Sequence, residues 1–247
     1  VLLMMLLPFT GLLIQLLRKR PLIAADTLER YCWITFGFVF VFFSLSGTQL
    51  PHYLLYGFTP LLLLLCTQTS QLHSKTLTLA PALILPVLFL LLPELLNYGA
   101  TQMDNAHQQA MLMAATESAN LSYRLLSIVG AIATAGLVFF NRSALWQRLV
   151  AAGLIQALVL AWAVLPLLAE IQQQPIKDAA AMAAKKSGPL VLWKAHLPSF
   201  VTYTQRAVER RAPKSGDVVL TRLQHQSKLA AHDVLFNANG IVLVQML

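Results

Sequence analysis

Between residues 42 and 65 the chain reads FFSLSGTQLPHYLLYGFTPLLLLL, which gathers Ser46, Gly47, Thr48, Gln49, His52 and Tyr53 in a turn that carries no charge. Hydroxyl, amide and imidazole groups are neutral hydrogen-bonding groups, suited to a lipid phosphate or a sugar hydroxyl. Pro51 interrupts regular backbone at the same place. Irregular backbone at membrane depth is tolerated only where protein or a watery cavity covers it. Two uses of the segment stand side by side. Tyr53, Tyr56 and His52 fit an interfacial anchor at headgroup level, and Gln49, His52 and Tyr53 fit a site that holds a polar lipid headgroup.

Other residues add to the inventory. Arg124 stands at the start of a later apolar run, at the level of a lipid phosphate. It suits either a snorkelling anchor or a phosphate ligand. Asp104 and His107 lie three apart in NYGATQMDNAHQQAMLMAATESAN, within reach of one helix face. Two ligands fall short of the three or four that zinc takes, so a solvated interfacial helix is the plainer expectation. Glu94, beside Pro93, belongs at a water interface or on a cavity wall. Lys194, His196, Arg206, Arg210, Arg211 and Lys214 form a loose basic set near the C-terminus, fitted to a solvated face or to an anionic headgroup. Phosphate-cradling glycine motifs, nucleophile elbows and Cys/His zinc spacings are absent, and no cofactor is implied.

The elements that must position these groups follow from composition. Of 247 residues, 57% are apolar and 11% charged, against about 45–50% and about 25% in soluble domains; mean hydropathy is +0.64. A water-soluble fold cannot cover so much apolar surface, and disorder needs the opposite balance. Six stretches have the length of spanning helices, about 17–25 residues or slightly under: 1–17, 31–47, 53–67, 77–96, 121–140 and 145–169. Pro81, Pro86 and Pro93 mark the fourth, where neighbouring helices must satisfy the carbonyls that proline frees. Cys32 and Cys66 sit in apolar runs as small hydrophobes.

Charge divides the chain. Residues 1–170 hold eight Lys/Arg and six Asp/Glu, whereas 171–247 hold ten and four. The first is a transmembrane helical domain and the second a small basic α/β domain. Loops 18–30, 68–76 and 141–144 contain Arg18, Lys19, Arg20, Arg30, Lys75 and Arg142, while 48–52 and 97–120 contain no Lys or Arg. Basic loops stay cytoplasmic. Six spans then leave 171–247 in the periplasm of a bacterial inner membrane, on the side away from nucleic acid.

In that domain PIKDAAAMAAKK (175–186) is expected to be a helix stopped at Ser187-Gly188. PLVLW (189–193) and GDVVLTR (216–222) read as strands, and PSFVTYTQR as a short helix. DVLFNANGIVLVQML reads as a hairpin turning at Asn239-Gly240.

Taken together, an aromatic-rich span, Ser, a polar turn, Leu-Pro-His-Tyr and Pro-Leu-Leu, followed by PIKDAAAMAAKKSGPLVLWKAHLPSFVTYTQRAV and GDVVLTR, resemble the aminoarabinose transferase/protein O-mannosyltransferase group over most of 31–247. These are polytopic C-type glycosyltransferases using polyprenyl-phosphate-linked sugars. The resemblance implies a polyprenyl-phosphate sugar donor, a lipid (lipid A among them), glycan or protein acceptor, and contact with membrane lipids. It also implies that the donor phosphate is held by Gln49, His52, Tyr53 and Arg124. The group usually has basic residues in the turn before Leu-Pro, where this chain has Gly47-Thr48-Gln49. Its catalytic acidic residues lie in a first periplasmic loop, so they are expected upstream of residue 1, with 1–247 the C-terminal part of a longer protein. Two rival classes stand beside it: a transporter or flippase-like protein, disfavoured by spans without internal charge, and a non-catalytic assembly protein.

Overall fold

The computed structural model describes residues 10–18, 26–45, 55–67, 78–140 and 142–247. They are mostly helical, with one five-stranded sheet near the C-terminus. The helices are α1 (Thr10–Arg18), α2 (Thr27–Leu45), α3 (Phe58–Thr67), α4 (Ile84–Ala100, entered through a 3-10 turn at Ala80–Leu83), α5 (Ala106–Ser118), α6 (Leu121–Phe139), α7 (Leu145–Val159), α8 (Leu165–Gln172), α9 (Gln174–Ala184), α10 (Pro198–Thr204) and α11 (Leu223–Gln226). Among the described residues, four helical stretches are long and apolar enough to cross a bilayer: Thr27–Leu45, Ala80–Ala100, Leu121–Phe139 and Leu145–Gln172. Leu55–Cys66 is a shorter apolar helix. Of the stretch expected at 1–17, residues 10–17 are described, within α1.

The chain packs as two compact units, Val1–Phe89 with Ser127–Val159 and Leu90–Leu126 with Leu160–Leu247. In the first, Leu12, Cys32, Leu61, Leu64 and Leu65 close against Val138, Leu145 and Leu149. A Cβ on Gly130 would stand 2.5 Å from a Val159 methyl carbon, so α6 and α7 approach through a small residue, as membrane helices commonly do.

Proline shapes the first unit as the sequence requires. Pro86 has no N–H to offer the Ala82 carbonyl four residues back. The Gln156 side chain, 5% exposed, reaches across from α7 and donates its Nε2–H to that carbonyl at 2.7 Å. Arg148, also 5% exposed, donates Nε–H to the Leu137 carbonyl at 2.6 Å and an Nη2–H to Val138 at 2.5 Å. These are carbonyls of the last turn of α6, where a cation also complements the helix dipole. In the second unit, the five-residue π-helical turn Leu160–Val164 lies just before Pro166, whose missing N–H would have served Trp162.

In the second unit the sheet has strands β1 (Leu190–Leu192), β2 (Val208–Glu209), β3 (Val218–Arg222), β4 (His232–Ala238) and β5 (Ile241–Met246). Their order is β2-β1-β3-β5-β4. β1 runs parallel to β2 and β3, while β5 is antiparallel to β3 and β4. Alternation sorts the strand residues onto two faces. Leu190, Leu192, Val218, Leu220, Ile241 and Leu243 pack on α9, through Ile176, Ala179, Ala180 and Ala183, and on Phe200 of α10. Val191, Val219, Val242 and Val244 pack on the other face with Trp193, Leu223 and Leu229. Helix, strands and hairpin occupy the places their sequence signals assign, while β2 and α11 are additional.

Replacing Gln156 by Leu keeps roughly the same volume and removes both the donor and the buried Oε1, which has no partner of its own among the described residues and offsets part of the loss. A net loss of about 1 kcal/mol in stability is expected, within the range for interhelical bonds in membranes. Unfolding of the full chain in bicelles measures it, and a Gln156→Leu protein as stable as wild type would show that the Ala82 carbonyl needs no partner.

Candidate functional site

Residues 101–126 carry much of the polar inventory named above, and they belong to the second unit. Asn105 caps α5, its Oδ1 accepting the His107 N–H at 3.0 Å and the Gln108 N–H at 3.4 Å. That cap fixes His107 in the first turn. Its Nδ1–H donates to the Gly240 carbonyl at 2.9 Å. Gly240 has φ +76°, and a Cβ there would stand 2.6 Å from the His107 carbonyl oxygen; glycine serves both the turn and the contact. Next to it Asn239, with φ 47°, donates Nδ2–H to the Ile171 carbonyl of α8 at 3.1 Å. The hairpin tip is thereby tied to two helices.

The structure separates Asp104 from His107 in role. Asp104 lines a shallow open concavity with Asn105, Ala106, Leu223, Gln224 and Ser227, while the His107 imidazole turns to the hairpin. α5 packs against α8 and α11, with Ala115 fully buried. This differs from the solvated helix expected for 97–120, because α5 lends one side to the sheet domain. Among the described residues no three His, Cys, Asp or Glu side chains come together as metal ligands.

Arg124 lies in the first turn of α6, which Asn120 caps by accepting the Tyr123 N–H at 2.9 Å. The guanidinium donates Nη1–H to Glu94 Oε1 of α4 at 3.0 Å. Both side chains are close to half exposed, 42% and 46%. A pair so wetted contributes about 1 kcal/mol or less, cheap enough for Arg124 to exchange Glu94 for another anion. Gln49, His52 and Tyr53 lie outside the described residues.

Two arginines of the C-terminal basic set are structural. Arg206 closes the end of α9, donating to the carbonyls of Ala183, Lys186 and Gly188 at 3.2, 2.8 and 2.8 Å. Arg211 forks onto buried Asp217 at 2.5 and 2.9 Å and also reaches Glu209. His196, Arg210 and Lys214 have exposed side chains.

No family model and no curated protein matches the chain. Among solved structures, the crystal structure of ArnT from Cupriavidus metallidurans in the apo state superposes with a TM-score of 0.67 at 16% identity. The fold is similar to that of ArnT. The match covers 98% of this chain and 51% of the ArnT chain, so this chain spans about half the length of that protein. ArnT is an aminoarabinose transferase of the C-type glycosyltransferase class. The resemblance read from the sequence thus has a counterpart in the fold.

Sequence reasoning did not find the ties of the hairpin tip. The Asn239-Gly240 signal was visible, but its partners lie 68 and 133 residues away. Burial lowers the pKa of His107, outweighing the rise from the Gly240 carbonyl, and the nearby Arg222 charge lowers it further. For His225, burial again leads, followed by the charges of Lys194, Lys228 and Arg222. The Arg211 hydrogen bonds lower the pKa of Asp217, against the effect of burial.

A histidine whose folded pKa is depressed binds its proton more readily when unfolded, so stability falls as pH drops below the free value of about 6.5. Asp217 acts lower, its stabilisation fading as pH falls below about 4 toward its depressed folded value. Hydrogen exchange of the sheet amides is therefore expected to quicken between about pH 7 and 5 through loss of stability, once intrinsic exchange rates are divided out. The double variant His107→Gln/His225→Gln should flatten this dependence; an unchanged slope would refute it.

Proposed function

We propose that this chain is the C-terminal part of a membrane glycosyltransferase that moves a sugar from a polyprenyl-phosphate donor to a lipid, glycan or protein acceptor at the periplasmic face of a bacterial inner membrane. The observation that carries the reading is the likeness to ArnT over 98% of the chain. Four long apolar helices support it as well. In this reading residues 1–170 form a membrane domain of six spans and 171–247 a periplasmic domain, an orientation that the placement of Lys and Arg supports.

The acceptor oxygen attacks the anomeric carbon, the bond from that carbon to the phosphate oxygen breaks, and polyprenyl phosphate leaves with the electron pair. A carboxylate takes the acceptor proton or orients the acceptor. The match leaves about half of the ArnT chain uncovered, and we assign that carboxylate to the corresponding part of the full protein. To the present chain we assign the leaving-group side. Gln49, His52 and Tyr53 donate hydrogen bonds to the phosphate, and Arg124 exchanges Glu94 for a phosphate oxygen as negative charge develops there.

The test is sugar transfer by the full-length protein in proteoliposomes supplied with a polyprenyl-phosphate sugar. Loss of a donor that strengthens in the transition state lowers kcat/KM by about tenfold or more. We expect that for His52→Ala and Arg124→Gln, and a smaller fall for Tyr53→Phe. Glu94→Gln, which releases Arg124, should keep activity and tighten donor binding. Three variants with unaltered donor affinity and turnover would remove the assigned phosphate site, and substrate flux without sugar transfer would replace the reaction itself.

A further inference from the structure

The cations of the sheet domain fall into two groups. Arg206 and Arg211 are saturated by carbonyls and carboxylates, as described above. The others, Lys177, Lys185, Lys186, Lys194, Arg210, Lys214, Arg222 and Lys228, form no ion pair with a carboxylate among the described residues, and of these Lys194, Arg222 and Lys228 surround His225. Asp104 lines the concavity beside Gln224 and Ser227 and pairs with none of them.

The parallel register brings these cations together. Leu192 of β1 is level with Leu220 of β3. Beyond it, the Trp193 N–H donates to the Leu220 carbonyl at 3.1 Å and Thr221 Oγ1–H to the Trp193 carbonyl at 2.9 Å. One residue further, Arg222 ends β3 and Lys194 follows β1 by two residues, at the same end of the sheet. Lys194 adopts φ 50°, and its ammonium lies 4.9 Å from the centre of the Trp193 ring. α11 starts directly after Arg222 and sets His225 edge-to-face on Trp193, with centroids 6.2 Å apart and planes at 70°.

Two buried side-chain nitrogens here have no partner. Arg222 Nε and His225 Nδ1 are enclosed without a hydrogen bond among the described residues. The Gln224 amide is placed with Nε2, which can only donate, 3.2 Å from His225 Nε2, and that placement sets the tautomer. His225 Nε2 therefore accepts, and Nδ1 carries the hydrogen. The depression of the His225 pKa by burial and then by Lys194, Lys228 and Arg222 reports the same crowding of positive charge.

Unshared N–H donors amid uncompensated cations call for an anion with several oxygens. In open α/β sheets, ligands gather beyond the carboxyl ends of parallel strands, which is where this cluster stands. Arg and Lys beside a neutral imidazole donor suit phosphate. We infer that the carboxyl ends of β1 and β3 form a phosphate-binding site, held by Lys194, Arg222, His225 and Lys228 beside Trp193. Phosphate chemistry reaches it from a phospholipid headgroup or from soluble phosphate. The site stands apart from the transfer reaction proposed above, and its test reads binding rather than turnover.

Trp193 supplies the reporter. The full chain is placed in phosphatidylcholine nanodiscs and titrated with inorganic phosphate, and in a second arm it is placed in nanodiscs of increasing phosphatidylglycerol content. The signal is the emission of wild type minus that of Trp193→Phe. A saturable change in the first arm assigns the site to phosphate itself; a change in the second arm alone assigns it to the headgroup. Either change should weaken by about tenfold in Arg222→Gln. Lys194→Gln and Lys228→Gln, both on the surface, should weaken it several-fold and keep the test valid if Arg222→Gln misfolds. No Trp193-dependent change in either arm, or one that the lysine variants leave intact, overturns the inference.

Discussion

A carbonyl removed from water must find a donor, and in this protein long polar side chains repeatedly supply it. Gln156 serves Ala82, Arg148 serves the last turn of α6, and Arg206 serves the end of α9. Asn239 does the same for Ile171, and His107 adds a second donor to the Gly240 carbonyl, which also accepts the Leu223 N–H at 2.9 Å. Each carbonyl is exposed for an identifiable reason, whether a proline, a helix terminus or a tight turn. An orphaned buried acceptor costs about 1–3 kcal/mol, so a few such bonds compare with the whole stability of a domain, about 5–15 kcal/mol. They also fix the packing, since a donor reaching across elements works at one register only.

That constraint separates what could be read from the sequence from what could not. Prolines in an apolar run announce that a carbonyl will be freed, and the fourth span has such a repair at Ala82. The identity of the donor was not legible, because Gln156 lies 74 residues from its acceptor. The strands and the hairpin were legible because alternation and Asn239-Gly240 are local signals. β2 was not: two residues long, it owes its strand geometry to pairing with β1.

The candidate site was legible to a smaller degree, for the same reason. Residue type suggests what a side chain can bind, while its partner comes from the fold. Arg124 looked like a single cation at the membrane edge, yet it meets Glu94 from another helix. Arg206 and Arg211 belonged by composition to one diffuse basic face, and folding turned them inward as a helix clamp and as the partner of Asp217. Asp104 and His107 had the spacing of a shared helix face, but Asn105 starts the helix between them, so only His107 is helical.

Subtracting the engaged groups leaves a smaller and more informative set. A guanidinium that closes a helix end cannot at the same time hold a ligand without exposing three carbonyls, so Arg206 is removed from the list of binding residues by its own geometry. Arg124 is removed less firmly, since a half-exposed pair with Glu94 costs little to exchange. Lys194, Arg222 and Lys228 keep their charge uncompensated, and with His225 they crowd one edge of the sheet. Repulsion within such a cluster opposes folding, and an anion among them would reverse its sign. The distinction between an arginine that holds the fold and one that awaits a ligand is therefore the number of acceptors already within its reach, a quantity that spacing along the chain does not contain.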